Sequence, residues 1–435
     1  MAAPVPSRGV PTTTHRTAPL RTWAGNLTYR AARVHRPRTV AEVQDVVARS
    51  ERVKALGSRH CFNDIADTTA DHVLLDDLDT GIELTEAADD GTGVLWVPAG
   101  MRYGELVGEL TATGRALHNL ASLPHITVAG ATATGTHGSG NRNGSLSTSV
   151  AGLELVRSDG EVVVLGAGDA DLPGAVVHLG ALGVVTRVAL RFQRTFDVRN
   201  TVYVGMTWDR LFADLDAVAD AAYSVSVFTD WRTVTSVWVK SRPEDPAVPE
   251  DFFGARAATE PTHMLPDTPV ENLTEQLGVP GEWHERLPHF RADFTPSKGE
   301  ELQSEWFVPR RHGRAACEAL RGLADRVAPL LQVSEIRTVA ADDLWLSPAS
   351  GGDVMALHFT WLPDQAAVTA VLPEIEAALR PFGARPHWGK LFTTDAAELA
   401  GLYPRMTDFR ALVRRVDPRG AFRNDYLDRT VAAFD

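Results

Sequence analysis

Cysteine is nearly absent: Cys61 and Cys317 are the only two in 435 residues. Two thiols supply neither a disulfide framework nor the ligand spacing of a zinc site. Long apolar runs are missing too, and none approaches the roughly 18 residues that a membrane-spanning helix requires. The opening MAAPVPSRGVPTTTHRTAPLRT is rich in Pro, Thr and Ala but lacks the apolar centre of a signal peptide. A mobile tail is therefore expected over residues 1–22. Basic charge is scarce, with 43 Lys and Arg against 56 Asp and Glu and a net charge of −13. That balance argues against a nucleic-acid partner and against an anionic membrane surface. There is no block of like charge and no internal repeat. The expected protein is soluble, cytoplasmic and monomeric.

The chain does have length, and 44% of it is hydrophobic, enough for a large core divided between two domains. Thr39-Val40-Ala41-Glu42 is a capping box, predicting a helix to about Ser50 and then a short strand, VKAL. HVLLDDL and TGVLWVPAG read as strands, and RYGELVGELTATG as a helix ended by Gly114. AGLELVRSDGEVVVLG is a hairpin signal, and HLGALGVVTRVALRF closes a mixed α+β unit spanning 23–195. A second α+β unit, 196–405, offers the strand candidates TVYVGM, YSVSVFTDW, TSVWVKS, SEWFVP, LQVSEIRTV, VMALHFTWL and HWGKLF. Long amphipathic helices are expected at about 209–222, 310–331 and 364–382. The pattern predicts one large, mostly antiparallel sheet with helices on one face and the other face left for a ligand. RPEDPAVPEDFFG reads as an exposed excursion. The final segment, 406–435, carries aromatics spaced to dock back on the first unit.

Two loops draw the eye. ALGSRHCFND at 55–64 puts Arg59 and His60 on irregular backbone after Gly57 and Ser58, and loops often carry chemistry. AGATATGTHGSGNRNG at 129–144 is almost entirely small residues, so backbone N–H groups can approach an anion closely. A nucleotide or other anion suits it better than a linker role, because it follows the apolar SLPHITV and contains threonines placed as donors. GxxxxGK[ST] is absent, and GAGDAD at 166–171 fails the dinucleotide fingerprint at Asp171. GxSxG is absent as well. His284, Glu285 and His289 are spaced one residue too long for a zinc-binding helix, which Pro288 would break in any case.

The pairing of GSRHCFND with GATATGTHGSG resembles the two phosphate-cradling loops of the vanillyl-alcohol oxidase type of FAD flavoproteins (the PCMH-type fold). ASLPHITVAGATATGTHGSG followed by NGSLST is similar to the alditol oxidases within that family, and the likeness runs from about Trp23 to the C-terminus. The resemblance implies a two-domain fold, an FAD-binding domain over 23–195 and a substrate (cap) domain over 196–405. It also implies FAD bonded covalently through His60. Further flavin contacts would be Ala55, Leu56, Gly57, Ser58, Arg59, Cys61, Ser122, Thr127, Gly130, Thr134, Gly135, Thr136, His137 and Val185. Cys61 departs from the family's serine, and a thiol is the weaker hydrogen-bond donor. The second loop has no cysteine, so a single covalent link is expected.

Strand periodicity says more about the second unit. Glu335 and Arg337 lie two apart and share a face. Met355, Leu357, Phe359 and Trp361 take one face of their strand, leaving Ala356, His358 and Thr360 on the other. Lys390 follows a glycine. If their strands are adjacent, Glu335, Arg337, His358, Thr360 and Lys390 form one cavity wall, suited to a polyol whose hydroxyls both donate and accept. The resemblance agrees. Ser122, Glu335, Arg337, Thr360 and Lys390 would bind an alditol such as xylitol or sorbitol. Lys390, Glu335 and His358 would be catalytic, the last or a water beside Lys390 taking the hydroxyl proton. Hydride would pass to flavin N5, and O2 would be reduced to H2O2. The alternatives are an aldonolactone (gulonolactone-type) oxidase or dehydrogenase of the same family, a non-catalytic sugar- or nucleotide-binding protein, and a hydrolase. The last lacks a visible nucleophile–base–carboxylate set.

Overall fold

The computed structural model describes residues 19–246, 249–291 and 301–431. Most of the tail expected at 1–22 lies outside them. The α+β class is borne out, with local signals in the first unit taking their expected form. Thr39 Oγ1 accepts the Glu42 N–H at 3.2 Å, while Glu42 reaches back one residue further than a standard box, to Arg38 N at 2.6 Å. The helix Val40–Arg49 buries Val43, Val46 and Val47. The strands Arg33–His35, Asp71–Leu74 and Val53–Leu56 form a parallel sheet in that order, so the third runs straight into the Gly57 loop. A six-stranded antiparallel sheet is centred on Val184–Arg194. It includes the hairpin Val150–Val156 with Val162–Leu165, which turns through Gly160 at φ +83°.

Beyond residue 196 a ten-stranded sheet dominates the described residues. Its central order is Asp197–Val204, Val234–Ser241, Ser224–Thr229, Leu331–Val339, Val354–Trp361, Leu302–Pro309, all antiparallel. Val227, Val237, Ile336, Leu357, Phe359 and Trp306 pack on one face beneath the helices. The opposite face carries Glu305, Glu335 and His358, which lie directly across from one another in register.

Several expectations change. The helix expected at 209–222 is two short ones, Trp208–Ala213 and Leu215–Asp220, separated at Asp214, whose backbone leaves the helical region. The one expected at 310–331 breaks into Gly313–Arg321 and Ala324–Val327, bounded by 3₁₀ turns. Only Gln365–Leu379 is continuous over most of its expected span. HWGKLF is not a strand: pairing stops at Arg385–Pro386, and His387 to Lys390 form a turn. Asn63 Nδ2 clamps that turn by donating to the carbonyls of Trp388 and Lys390, each at 2.8 Å. The Pro-rich excursion ends as an edge hairpin, Asp251–Phe252 with Ala255–Ala257, because Phe253 and Gly254 both take positive φ. Ala247 and Val248 of that stretch lie outside the described residues. The polar sheet face is also not wholly open. Residues 258–291 fold over part of it, packing Met264 and Leu273 on Phe228, Trp238 and Val202.

The C-terminal helices Met406–Val416 and Asp425–Thr430 share a core with Val43, Val46 and Val47. Asn424 Nδ2 donates to the carbonyls of Ile65 at 3.0 Å and Asp67 at 2.9 Å, bracing the chain just beyond the His60 loop.

Candidate active site

A cavity of about 400 Å³ separates the first unit from the polar face of the large sheet. That volume lies in the range of small-molecule sites. It is lined by Ala55 through Cys61, Ser122, Thr127, Gly130, Thr134, Thr136, His137 and Val185, and across from them by Glu335, Arg337, His358, Thr360 and Lys390. Of the residues singled out in sequence, Gly135 stands behind the lining. A Cβ there would meet Pro348 Cδ at 3.0 Å, and its φ of +73° shapes the loop instead.

The first loop is held at both ends, by Trp23 N to Arg59 O and Phe62 N to Gly389 O, each 2.8 Å. Between them Arg59 sits at φ +65°, a left-handed conformation that costs a non-glycine residue about 1 kcal/mol or more. The His60 ring stacks on Trp23 with centroids 4.7 Å apart and lies 5.9 Å from the ring of His125. Burial, then the neighbouring His125, Arg102 and Arg59, push its pKa down to about 3, so the imidazole is neutral and its lone pair available. Gly57 is required here: a Cβ would lie 2.4 Å from Thr127 Oγ1.

Thr127 opens the second loop. The threonines that follow do not all point donors at a ligand. Thr132 Oγ1 donates to Val128 O and Thr134 Oγ1 to Gly130 O, both at 3.1 Å, inside the short helix Val128–Ala133 and its C-terminus. Backbone bonds from Gly140 N to Thr338 O and from Ala340 N to Asn143 O, both 2.9 Å, fasten the loop to the large sheet. His137 spans the two units. Its Nδ1 is 2.7 Å from Gly138 O and its Nε2 3.1 Å from Glu305 Oε1.

Glu305 is the residue that sequence reasoning missed, and it is the hub of the wall. Lys390 Nζ donates to its Oε2 at 2.6 Å, and Arg337 donates to its Oε1 at 2.9 Å. The expected adjacency was therefore incomplete. Leu302–Pro309 lies between the His358 strand and the Lys390 turn, and Glu305 makes the connection. Burial opposes its ionisation, but Lys390, His137 and Arg337 hold its carboxyl well below the usual range. Glu335 is likewise kept ionised against burial by Arg337, 3.5 Å away, and by His289, whose Nε2 is 2.8 Å from Glu335 Oε1. His358 Nε2 is 3.1 Å from Gln303 Oε1, and burial, reinforced by Lys390, pushes its pKa well down. The wall thus sets two carboxylates, Glu305 and Glu335, against two cations, Arg337 and Lys390, a charge balance that makes burial tolerable. Glu305 did leave a signal: in LQSEWFVP a glutamate alternates with Gln303 and Phe307 opposite the apolar Trp306 and Val308. His289 left none, because its partner comes from a strand 46 positions later in the chain. Among the described residues no cluster of His, Cys, Asp and Glu could hold a metal ion.

A family model described as an FAD binding domain matches residues 31–166, and one described as D-arabinono-1,4-lactone oxidase matches 296–430. An alditol oxidase from a Streptomyces species is 51% identical over 408 residues, covering 93% of this chain and 97% of that protein. An L-gulono-1,4-lactone dehydrogenase from Mycobacterium tuberculosis is 31% identical over 433 residues, covering 94% and 98%. Among solved structures, cholesterol oxidase from B. sterolicum superposes with a TM-score of 0.76 at 15% identity, over 98% of this chain and 99% of that one. That last likeness speaks for the fold alone.

Proposed function

Because the chain belongs to the alditol oxidase family and carries an FAD binding domain, we propose that it oxidises the terminal primary alcohol of alditols such as xylitol and sorbitol to the aldose, reducing O2 to H2O2. The observation that carries this reading is the polar wall: Gln303, Glu335, Arg337, Thr360 and Lys390 offer alternating donors and acceptors to a run of hydroxyls. A site built to pair each hydroxyl discriminates strongly against ligands lacking them. The aldonolactone alternative has the weaker support, since the lactone-specific relative is 31% identical against 51% for the alditol oxidase.

FAD suits the residues present. One cavity is lined by the apolar Val185 and Ala131, by both glycine-rich loops and by the polar wall. A dinucleotide with an apolar ring, a pyrophosphate and a polar reaction partner needs all three kinds of surface. Ala55 to Cys61, Ser122, Thr127, Gly130, Thr134, Thr136, His137 and Val185 would hold it, with His60 as the single covalent attachment. Bound there, FAD supplies the two-electron acceptor for the alcohol and the route of those electrons to oxygen. The protein's own part is orientation. Lys390 and Glu335 hold the first two hydroxyls, Ser122 helps to align the first, and Arg337 and Thr360 hold the next ones. The proton of the reacting hydroxyl leaves to His358 or to a water beside Lys390. With Nε2 donating to Gln303, His358 keeps its lone pair on Nδ1.

The same reading assigns 23–195 to the FAD domain, 196–405 to the substrate domain and the rest to a segment docked on the first. None of the described helices is long and apolar enough to cross a membrane, and the proposed enzyme is a cytoplasmic monomer. Lys390→Ala and Glu335→Ala are expected to lower kcat/KM for xylitol by about 100-fold or more while flavin content stays at the wild-type level. Equal loss of flavin in these variants would make both residues structural and remove the basis for the proposed roles.

A further inference from the structure

Next to Glu335 lies a pair of residues that the roles assigned so far do not use, His289 on the cavity lining and Lys240 behind it. Lys240 is buried in the strand Val234–Ser241, with its Nζ 3.1 Å from His289 Nδ1 and donating as well to Leu287 O. His289 arrives from the 258–291 segment. Its ring is wedged edge-on between Phe228 and Trp238, with centroids 5.4 and 5.2 Å away, and its backbone carbonyl accepts Thr274 N at 3.0 Å. The ring therefore has one orientation. The ionised Glu335 Oε1 can only accept, so the Nδ1 lone pair is left to Lys240 Nζ, and the ring proton is fixed on Nε2. That proton points at Glu335 Oε1, 2.8 Å away.

We propose that Lys240 and His289 are positioning residues that fix the Glu335 carboxylate, occupying Oε1 so that Oε2 faces the substrate hydroxyl. This rests on the polyol reading of the site. Buried, ionised acceptors work best when their unused lone pairs are already satisfied, because a carboxylate free to rotate must be reordered on each binding event. Arg337, 3.5 Å from Oε2, supplies the opposite charge but not the fixed geometry. His289 supplies the geometry and Lys240 selects its tautomer.

The test uses flavin-loaded enzyme and a double-mutant cycle with xylitol as substrate. His289→Leu is expected to raise KM about 10- to 100-fold, the worth of a charge-assisted hydrogen bond, with flavin content unchanged and a smaller effect on kcat. His289→Gln keeps an N–H at that end of the side chain and is expected to recover most of the loss, and Lys240→Met should fall between the two. In a Glu335→Gln background, His289→Leu should add less than about twofold, which separates action through that carboxylate from direct contact of His289 with the substrate. Additive effects in the cycle, or a His289→Leu enzyme equal to wild type, would overturn the inference alone. A wild-type enzyme whose flavin xylitol and sorbitol fail to reduce would overturn the polyol reading and this inference with it.

Discussion

At the scale of the residue, the site depends on side chains whose orientation and charge the surroundings fix. His60 is the sharpest case. Strained backbone at Arg59 aims it, Trp23 stacks on it, and burial keeps its imidazole neutral. A neutral ring nitrogen with its lone pair free is what a covalent bond to the flavin would require of this residue. His60→Ala should therefore leave a folded, yellow protein that releases all its flavin on denaturation. Fluorescence of the denatured polypeptide band measures this, and a band still fluorescent in the variant would place the attachment elsewhere. Cys61 next to it is not poised for chemistry, because burial pushes its thiol up to about 12 and its Sγ packs against Gly389.

At the scale of the element, what matters is how closely two loops approach. Ser58 Oγ lies 3.4 Å from Thr127 N, and Gly57 has room for hydrogen alone beside Thr127 Oγ1. Gly57→Ala is expected to push the loops apart and cut flavin incorporation severalfold or more, read as the ratio of visible to ultraviolet absorbance. Unchanged incorporation would mean that the loops adjust freely. Signals contained within one element were legible in sequence: the Thr39 cap, the Ser158-Asp159-Gly160 hairpin, and the two-residue alternation that set Glu335 with Arg337 and His358 with Thr360. What escaped notice depends on partners far along the chain. The Lys390 turn looked like a strand because Asn63, more than 300 positions earlier, is what bends it. Residues 258–291 have no periodicity to read, and their place over the sheet is set by Phe228 and Trp238. Alternation put Glu305 on the polar face with Gln303, but its partners Arg337 and Lys390 come from other parts of the sheet.

At the scale of the molecule, two units close on a cavity whose walls are rich in buried, neutral histidines. His178 and His289 are both pushed down to about 4 by burial, with Lys54 acting on the first and Lys240 on the second. Their ordinary value is 6.5, so between the two values the unfolded chain binds protons that the folded one refuses. This contribution to stability is complete above about pH 6.5 and is lost as pH falls towards 4. The thermal midpoint should therefore drop on going from pH 7.5 to 5, and a midpoint constant or rising over that interval would show these rings to be charged in the fold.

The whole-molecule claim is that the first unit holds FAD and the second presents a polyol to it. The most direct test mixes purified protein with xylitol in the absence of oxygen and follows visible flavin absorption. Bleaching is expected, with colour returning and H2O2 appearing when air is admitted. A protein that stays yellow with xylitol and sorbitol but bleaches with an aldonolactone would contradict the claim.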